Sequence, residues 1–177
     1  LHQQIDKHRW SVLVCHRRFG KTVCMINHLI KSALTCKEKN PRFAYLAPTF
    51  KQAKSIAWDY MKQFTDKIPN TKFNETELRV DLPNGARITL LGSDSPDGLR
   101  GIYLDGCVID EYANVNSRLF PEIIRPALSD RKGYCVFIGT PAGMNNNFYE
   151  LYQHANGADD WFNYKAKASD TKIVDED

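Results

Sequence analysis

The apolar run Ser11-Val12-Leu13-Val14 leads directly into Cys15-His16-Arg17-Arg18-Phe19-Gly20-Lys21-Thr22, and a helix-compatible run over residues 23–34 follows. Strand, Gly-Lys-Thr turn and helix in immediate succession are the context that a phosphate-binding P-loop requires. The backbone N–H groups of the turn and of the helix start can cradle phosphate oxygens. Lys21 would reach the β- and γ-phosphates, and the Thr22 hydroxyl would sit on Mg²⁺. Cys15 departs from the pattern, which has its first glycine there, and residues 16–19 are bulky and basic rather than glycine-rich.

A second apolar strand, Gly106-Cys107-Val108-Ile109, ends in two adjacent carboxylates, Asp110 and Glu111. In a P-loop ATPase the first such acid holds the Mg²⁺ shell and the second polarises the attacking water. Strand side chains alternate, so consecutive acids serve different sides of one site. A solvated strand end is the plain alternative.

Composition narrows the class. A chain of 177 residues with 42% hydrophobic content supports one globular domain with a sizeable core. It contains no apolar run long enough to span a membrane and no signal-like start. The chain begins with Leu rather than Met, and the P-loop comes almost at once, so a fragment lacking its true N-terminus is expected. Five cysteines, at positions 15, 24, 36, 107 and 135, show no metal-ligand spacing and read as reduced thiols of a cytosolic protein. Net charge is +3, but residues 1–62 hold 12 Lys and Arg against 3 Asp and Glu. A basic end suits phosphates of nucleotide or nucleic acid, and a segregated solvated surface would look the same.

The remaining pattern alternates. Strands are expected over 10–15, 42–47, 104–110, 134–139 and 161–166, and helices over 21–36, 50–65, 117–128 and 147–155. Pro126 is expected to disrupt the end of the third helix. Runs over 78–82 and 86–91 flank Pro83-Asn84-Gly85, a hairpin signal. Strand–helix alternation predicts an α/β fold with a mostly parallel sheet, helices on both faces and an inserted β-hairpin. Ligands then bind at the carboxyl ends of the strands. Domain limits of 1–168 follow, with 169–177 as an acidic tail or the start of a linker.

Two further places invite a role. Thr140, in Ile138-Gly139-Thr140-Pro141, could sense the γ-phosphate, although Gly and Pro also simply end strands. Arg100, in Pro96-Asp97-Gly98-Leu99-Arg100-Gly101, could be presented to a phosphate in its own site or a neighbour's, or be an ordinary surface arginine.

The ordered set Arg-Arg-Phe-Gly-Lys-Thr, Ala-Pro-Thr, Leu-Arg-Gly, Val-Ile-Asp-Glu-Tyr-Ala and Gly-Thr-Pro-Ala-Gly, then Phe148-Tyr149-Glu150-Leu151-Tyr152, resembles the ATPase domain of the large terminase subunit of tailed bacteriophages. The resemblance runs over roughly residues 1–168, and the family tolerates Arg-rich variants of the P-loop. It implies a P-loop NTPase fold of the RecA-like (ASCE) kind and an ATPase that drives double-stranded viral DNA into a procapsid. It implies ATP and Mg²⁺ as ligands, with residues 15–22 (Cys15, His16, Arg17, Arg18, Phe19, Gly20, Lys21, Thr22) around the nucleotide and Thr22 and Asp110 on the metal. Glu111 matches the catalytic glutamate, and Gly139-Thr140-Pro141 matches the motif that couples hydrolysis to movement. Arg100 matches a loop arginine acting in trans across a ring of subunits, while Arg17 or Arg18 could act in cis. Gln3 or Gln4 could fill the place of an adenine-reading glutamine.

The same resemblance implies a portal and a small terminase subunit as partners, a homo-oligomeric ring and the cytoplasm of a bacterial host. Full-length relatives also carry a C-terminal nuclease domain, which is expected to be absent from this chain. A helicase-like nucleic-acid translocase shares most of these motifs. A non-catalytic, nucleotide-sensing module that binds DNA or capsid is the other alternative, resting on Cys15 alone.

Overall fold

The computed structural model describes residues 1–95, 99–167 and 169. Along the chain run α1 (His2–Ile5), β1 (Trp10–Cys15), α2 (Lys21–Thr35), β2 (Arg42–Ala47), α3 (Phe50–Ala53) and α4 (Asp59–Thr65), then β3 (Lys72–Asn74), β4 (Arg79–Asp81), β5 (Arg87–Gly92) and β6 (Gly106–Ile109). The chain continues through α5 (Arg125–Ser129), β7 (Tyr134–Gly139), α6 (Asn147–Ala155) and β8 (Trp161–Ala166).

Among the described residues eight strands form one sheet in the order β3-β4-β5-β2-β6-β7-β1-β8. The six strands from β5 to β8 in that order are parallel, and the β3–β4 and β4–β5 pairings are antiparallel. Strands covered on both faces bury nearly every residue, which is why β1, β2, β6 and β7 read as unbroken apolar runs. Leu13, Tyr45, Val108 and Val136 pack with Met25, Leu29 and Trp58 on one face. Val12, Leu46, Ile109 and Phe137 pack with Ile124, Leu128 and Phe148 on the other. Helices therefore cover both faces, as the alternation required.

The hairpin forms where expected, between β4 and β5. Gly85 takes φ +85°, a conformation other residues resist. Asn84 donates from Nδ2 to the Ala33 carbonyl at 2.9 Å, tying the turn to the last turns of α2. The short β3 extends this antiparallel edge by one strand.

The helical region near Pro126 differs from expectation. It starts with a π turn at Phe120–Ile124 and continues unbroken into α5 past the proline. The wide π turn just upstream relieves the clash of the proline ring with the preceding backbone, so the helix continues past it. Another π turn, Lys54–Trp58, joins α3 to α4, so residues 50–65 are helical throughout. The acidic strand is shorter than its apolar run, because Leu104 and Asp105 lie before the β6 pairing starts.

α1, which the sequence does not announce, docks on α2 through stacked imidazoles. The His2 and His28 rings lie 5.3 Å apart at 9°, with their Nδ1 atoms 3.1 Å apart. The Tyr134 ring meets His28 edge-on, and Asp6 pairs with Lys31 alongside. His28 is buried, and this burial pushes its pKa down to about 4, with Asp6 opposing and His2 and Lys31 reinforcing the shift. A folded-state value below the ordinary one means that the unfolded chain takes up the proton first. Stability is then whole above the ordinary histidine value and falls as pH drops toward 4, by on the order of 3 kcal/mol. Urea unfolding at pH 7 and pH 4.5 should show this loss, and His28→Gln should flatten the part that His28 supplies.

Candidate nucleotide-binding site

The carboxyl ends of β1, β7, β6 and β2 share one edge of the sheet, because Val14 aligns with Gly139, Ile109 with Phe137 and Leu46 with Ile109. The loops that leave this edge carry residues 16–20, Thr140 and Asp110-Glu111. At the first of them, Gly20 caps α2 with φ +85° and no atom near the place of a Cβ, so its need for glycine is conformational rather than steric. Arg18 is also left-handed, at φ 63°. Lys21 folds back over the loop, and its Nζ donates to the carbonyls of Cys15 at 3.3 Å and His16 at 3.2 Å. Arg17 and Arg18 are exposed, and His16 and Phe19 are half-buried. Cys15 is a core residue, packed with Met25 and Ile26. Burial pushes its thiol up to about 11. The residue in the place of the first glycine thus faces the interior.

Asp110 is 2% exposed. The Tyr45 phenol donates to its Oδ2, and the Glu111 backbone N–H donates to its Oδ1 at 2.8 Å. The Thr22 side chain lies beside the Tyr45 phenol and favours its ionised form. Burial raises the Asp110 carboxyl above its usual range, and the bonds from Tyr45 and Glu111 work against that rise. Burial likewise raises the Tyr45 phenol, which the adjacent Asp110 charge reinforces.

Glu111 sits at φ 48°, ψ 46°. A left-handed glutamate costs on the order of 1–3 kcal/mol and persists only where its surroundings enforce it. Here the turn swings the side chain out of strand alternation and toward β7. Thr140 Oγ1 donates to Glu111 Oε2 at 3.3 Å. Hydrogen bonds therefore join Tyr45, Asp110, Glu111 and Thr140, with Thr22 beside the Tyr45 phenol. Sequence reading passes over Tyr45, because an aromatic residue inside an apolar strand carries no polar signal.

Gln3 and Gln4 separate in space. Gln4 lines an open cleft of about 520 Å³ with Leu1, Phe19, Phe162 and Tyr164, and Gln3 does not. Phe19 comes from the P-loop, and its ring lies 6.2 Å from that of Tyr164. Arg100 is exposed and lines a different cavity, of about 210 Å³, with Ser93, Asn116, Arg118, Leu119, Glu122 and Ile123. Residues 96–98 of its loop lie outside the described residues.

Sheet order, loop and acid pair together define a P-loop fold, with β7 standing between the P-loop strand and the acidic strand. Residues 14–175 match the family described as terminase large subunit, T4likevirus-type, N-terminal, and the chain belongs to that family. The terminase large subunits of Thermus phage G20c and Thermus virus P23-45 are each 30% identical over an alignment spanning 60% of this chain and 26% of theirs. The chain thus matches about a quarter of the length of these relatives. Among solved structures, the large terminase ATPase domain of Thermus phage P74-26 superposes with a TM-score of 0.78 at 22% identity, covering 96% of this chain and 80% of that one. The large terminase of the thermophilic bacteriophage D6E in complex with ADP gives 0.79 at 17% identity, covering 97% and 43%.

The placement of Cys15 carries a direct test. At pH 8 a buried thiol raised this far is ionised only at the level of ~10⁻³. Half-buried Cys36 should react with a maleimide well before Cys15, as read by mass spectrometry of quenched digests. Labelling of Cys15 first would contradict its packing.

Proposed function

We propose that this chain binds ATP and Mg²⁺ at the sheet edge and hydrolyses ATP, as the motor domain of a machine that moves double-stranded DNA into a viral procapsid. The observation that carries the reading is the hydrogen-bonded group of Tyr45, Asp110, Glu111 and Thr140 at the sheet edge, with Thr22 beside it. The donor set suits magnesium, a hard cation that takes a hydroxyl and one or two carboxylates together with water and substrate phosphates. When bound, Mg²⁺ neutralises phosphate charge and fixes the β- and γ-oxygens.

The residues divide the work. Loop N–H groups over 17–20 hold phosphate oxygens at the start of α2. Lys21 exchanges its two carbonyl partners for phosphate, and Thr22 and Asp110 hold the metal. Glu111 orients water for in-line attack on the γ-phosphorus. The Thr140 hydroxyl, bonded to Glu111, senses whether that carboxylate is engaged and passes the change to the loop after β7. Gln4, Phe19 and Tyr164 offer an amide and two rings for the adenine, so Gln4 is the better candidate of the two glutamines. Arg17, Arg18 and the basic first third of the chain favour phosphate.

Arg100, on its separate cavity, is suited to reach a neighbouring subunit's nucleotide in a homo-oligomeric ring. A portal and a small terminase subunit are the proposed further partners, and the bacterial host cytoplasm is the proposed location. Among the described residues no helix is long and apolar enough to cross a membrane. The ATPase domain is assigned to residues 1–168, and nuclease activity to a region of the intact protein outside it. The burial of Cys15 removes the feature that pointed to a merely nucleotide-sensing module.

Glu111→Gln should cut turnover about 10²–10⁴-fold while ATP still binds, and Lys21→Ala should weaken binding itself. Phosphate release and equilibrium binding of a fluorescent ATP analogue separate the two effects. Normal hydrolysis by Glu111→Gln would overturn the assignment.

The trans arginine has its own test. Arg100→Ala should lower the assembled rate by on the order of 10³-fold. Mixing Arg100→Ala with Glu111→Gln subunits should restore part of the activity, and a demonstrated mixed ring without recovery would rule out action in trans.

A further inference from the structure

The first of the parallel strands that flank β6 brings an unforeseen side chain to the acid pair. Tyr45 aligns with Val108 across the β2–β6 pairing. Side chains two apart on a strand share a face, so Asp110 lies on the same face as Val108 and Tyr45, toward α2. The Tyr45 ring fills core space among Met25, Leu29 and Val108 and is fully buried. Phenylalanine would fill that space without the cost of burying a hydroxyl. The hydroxyl has a partner in Asp110, to which it donates, and it lies beside Thr22; both are residues assigned above to the metal. Those residues come from different elements, β6 and α2, and have no covalent reason to keep a fixed spacing.

We propose that Tyr45 is a positioning residue of the metal subsite, whose phenol holds the Asp110 carboxylate beside Thr22 so that its oxygens are set before metal and nucleotide arrive. This rests on the reading that Thr22 and Asp110 hold Mg²⁺. A physical effect follows from this bond. The buried Asp110 carboxylate keeps a second donor besides the Glu111 N–H, which lowers the cost of its desolvation in the metal-free protein and holds its orientation. Groups that orient metal ligands in this way typically matter about 10–100-fold in metal affinity.

The test measures binding rather than turnover. A non-hydrolysable fluorescent ATP analogue is titrated at rising Mg²⁺, and again in EDTA, with the wild-type chain, Tyr45→Phe, Asp110→Asn and Thr22→Val. The proposal expects Tyr45→Phe to raise the Mg²⁺ needed for half-maximal binding about 10–100-fold, with metal-free binding unchanged. It also expects Tyr45→Phe to add little further shift in the Asp110→Asn background. Tyr45→Met, which lacks the hydroxyl but packs differently, should shift the Mg²⁺ dependence in the same direction. A loss of thermal stability in both Tyr45 variants with no change in Mg²⁺ dependence would reduce Tyr45 to a packing residue and overturn the proposal. If Asp110→Asn and Thr22→Val also leave the Mg²⁺ dependence unmoved, the metal assignment itself fails, and the proposal fails with it.

Discussion

Parallel pairing of β1, β7, β6 and β2 is the constraint on which the site depends. Parallel ladders align carboxyl ends, and here the register brings Val14 level with Gly139 and Ile109 level with Leu46. Asp110, Glu111 and Thr140 lie within two residues of those ends, and the loop after β1 brings Lys21 and Thr22 to the same edge. A one-residue slip of β6 would turn Asp110 to the opposite face, away from Tyr45 and Thr22. The apolar cores on both faces hold that register, because each slip would expose one set of residues and bury another. Core and chemistry are therefore one design: the burial that fixes β6 also desolvates Asp110.

That desolvation sets the electrostatic character of the edge. A carboxylate buried without partners would simply take up a proton. Asp110 has a phenol and an N–H for partners, and Lys21 stands near enough to favour its charged form. Glu111, one residue on, is half-buried and turned aside by a left-handed backbone. Adjacent acids thus receive opposite treatment, one enclosed and one left able to meet water. This division matches the proposed split between metal holding and water activation. The strain at Glu111 is local, and Thr140 gives its side chain a partner in the loop after β7.

Much of the fold was legible because its strands are bounded sharply. Trp10–Cys15, Arg42–Ala47, Tyr134–Gly139 and Trp161–Ala166 coincide with the apolar runs that suggested them, each cut off by turn or polar residues. The hairpin was readable from Asn84-Gly85, since few other pairs adopt its turn. What the sequence hid was short or exposed. α1 is four residues long, and β3 has three residues with Lys72 and Phe73 exposed, so neither builds a periodic signal. Pro126 misled because the π turn before it lies beyond what propensity describes. At the site, Lys21, Thr22, Asp110 and Glu111 were legible as neighbours in sequence. Tyr45 was not, because its importance arises from the sheet order that sets β2 beside β6. Tyr164 and Phe162 were missed for the same reason, coming from β8 beside β1. The choice between Gln3 and Gln4 needed the fold, since only a helix axis tells adjacent residues apart.

The most direct test of the account is a crystal structure of this chain with a non-hydrolysable ATP analogue and Mg²⁺. The account predicts that Lys21 Nζ leaves the carbonyls of Cys15 and His16 for the phosphates, that the cation lies between Thr22 and Asp110, and that the base enters the cleft beside Gln4, Phe19 and Tyr164. Nucleotide bound elsewhere, or Lys21 still on its carbonyls with density at the sheet edge absent, would contradict it.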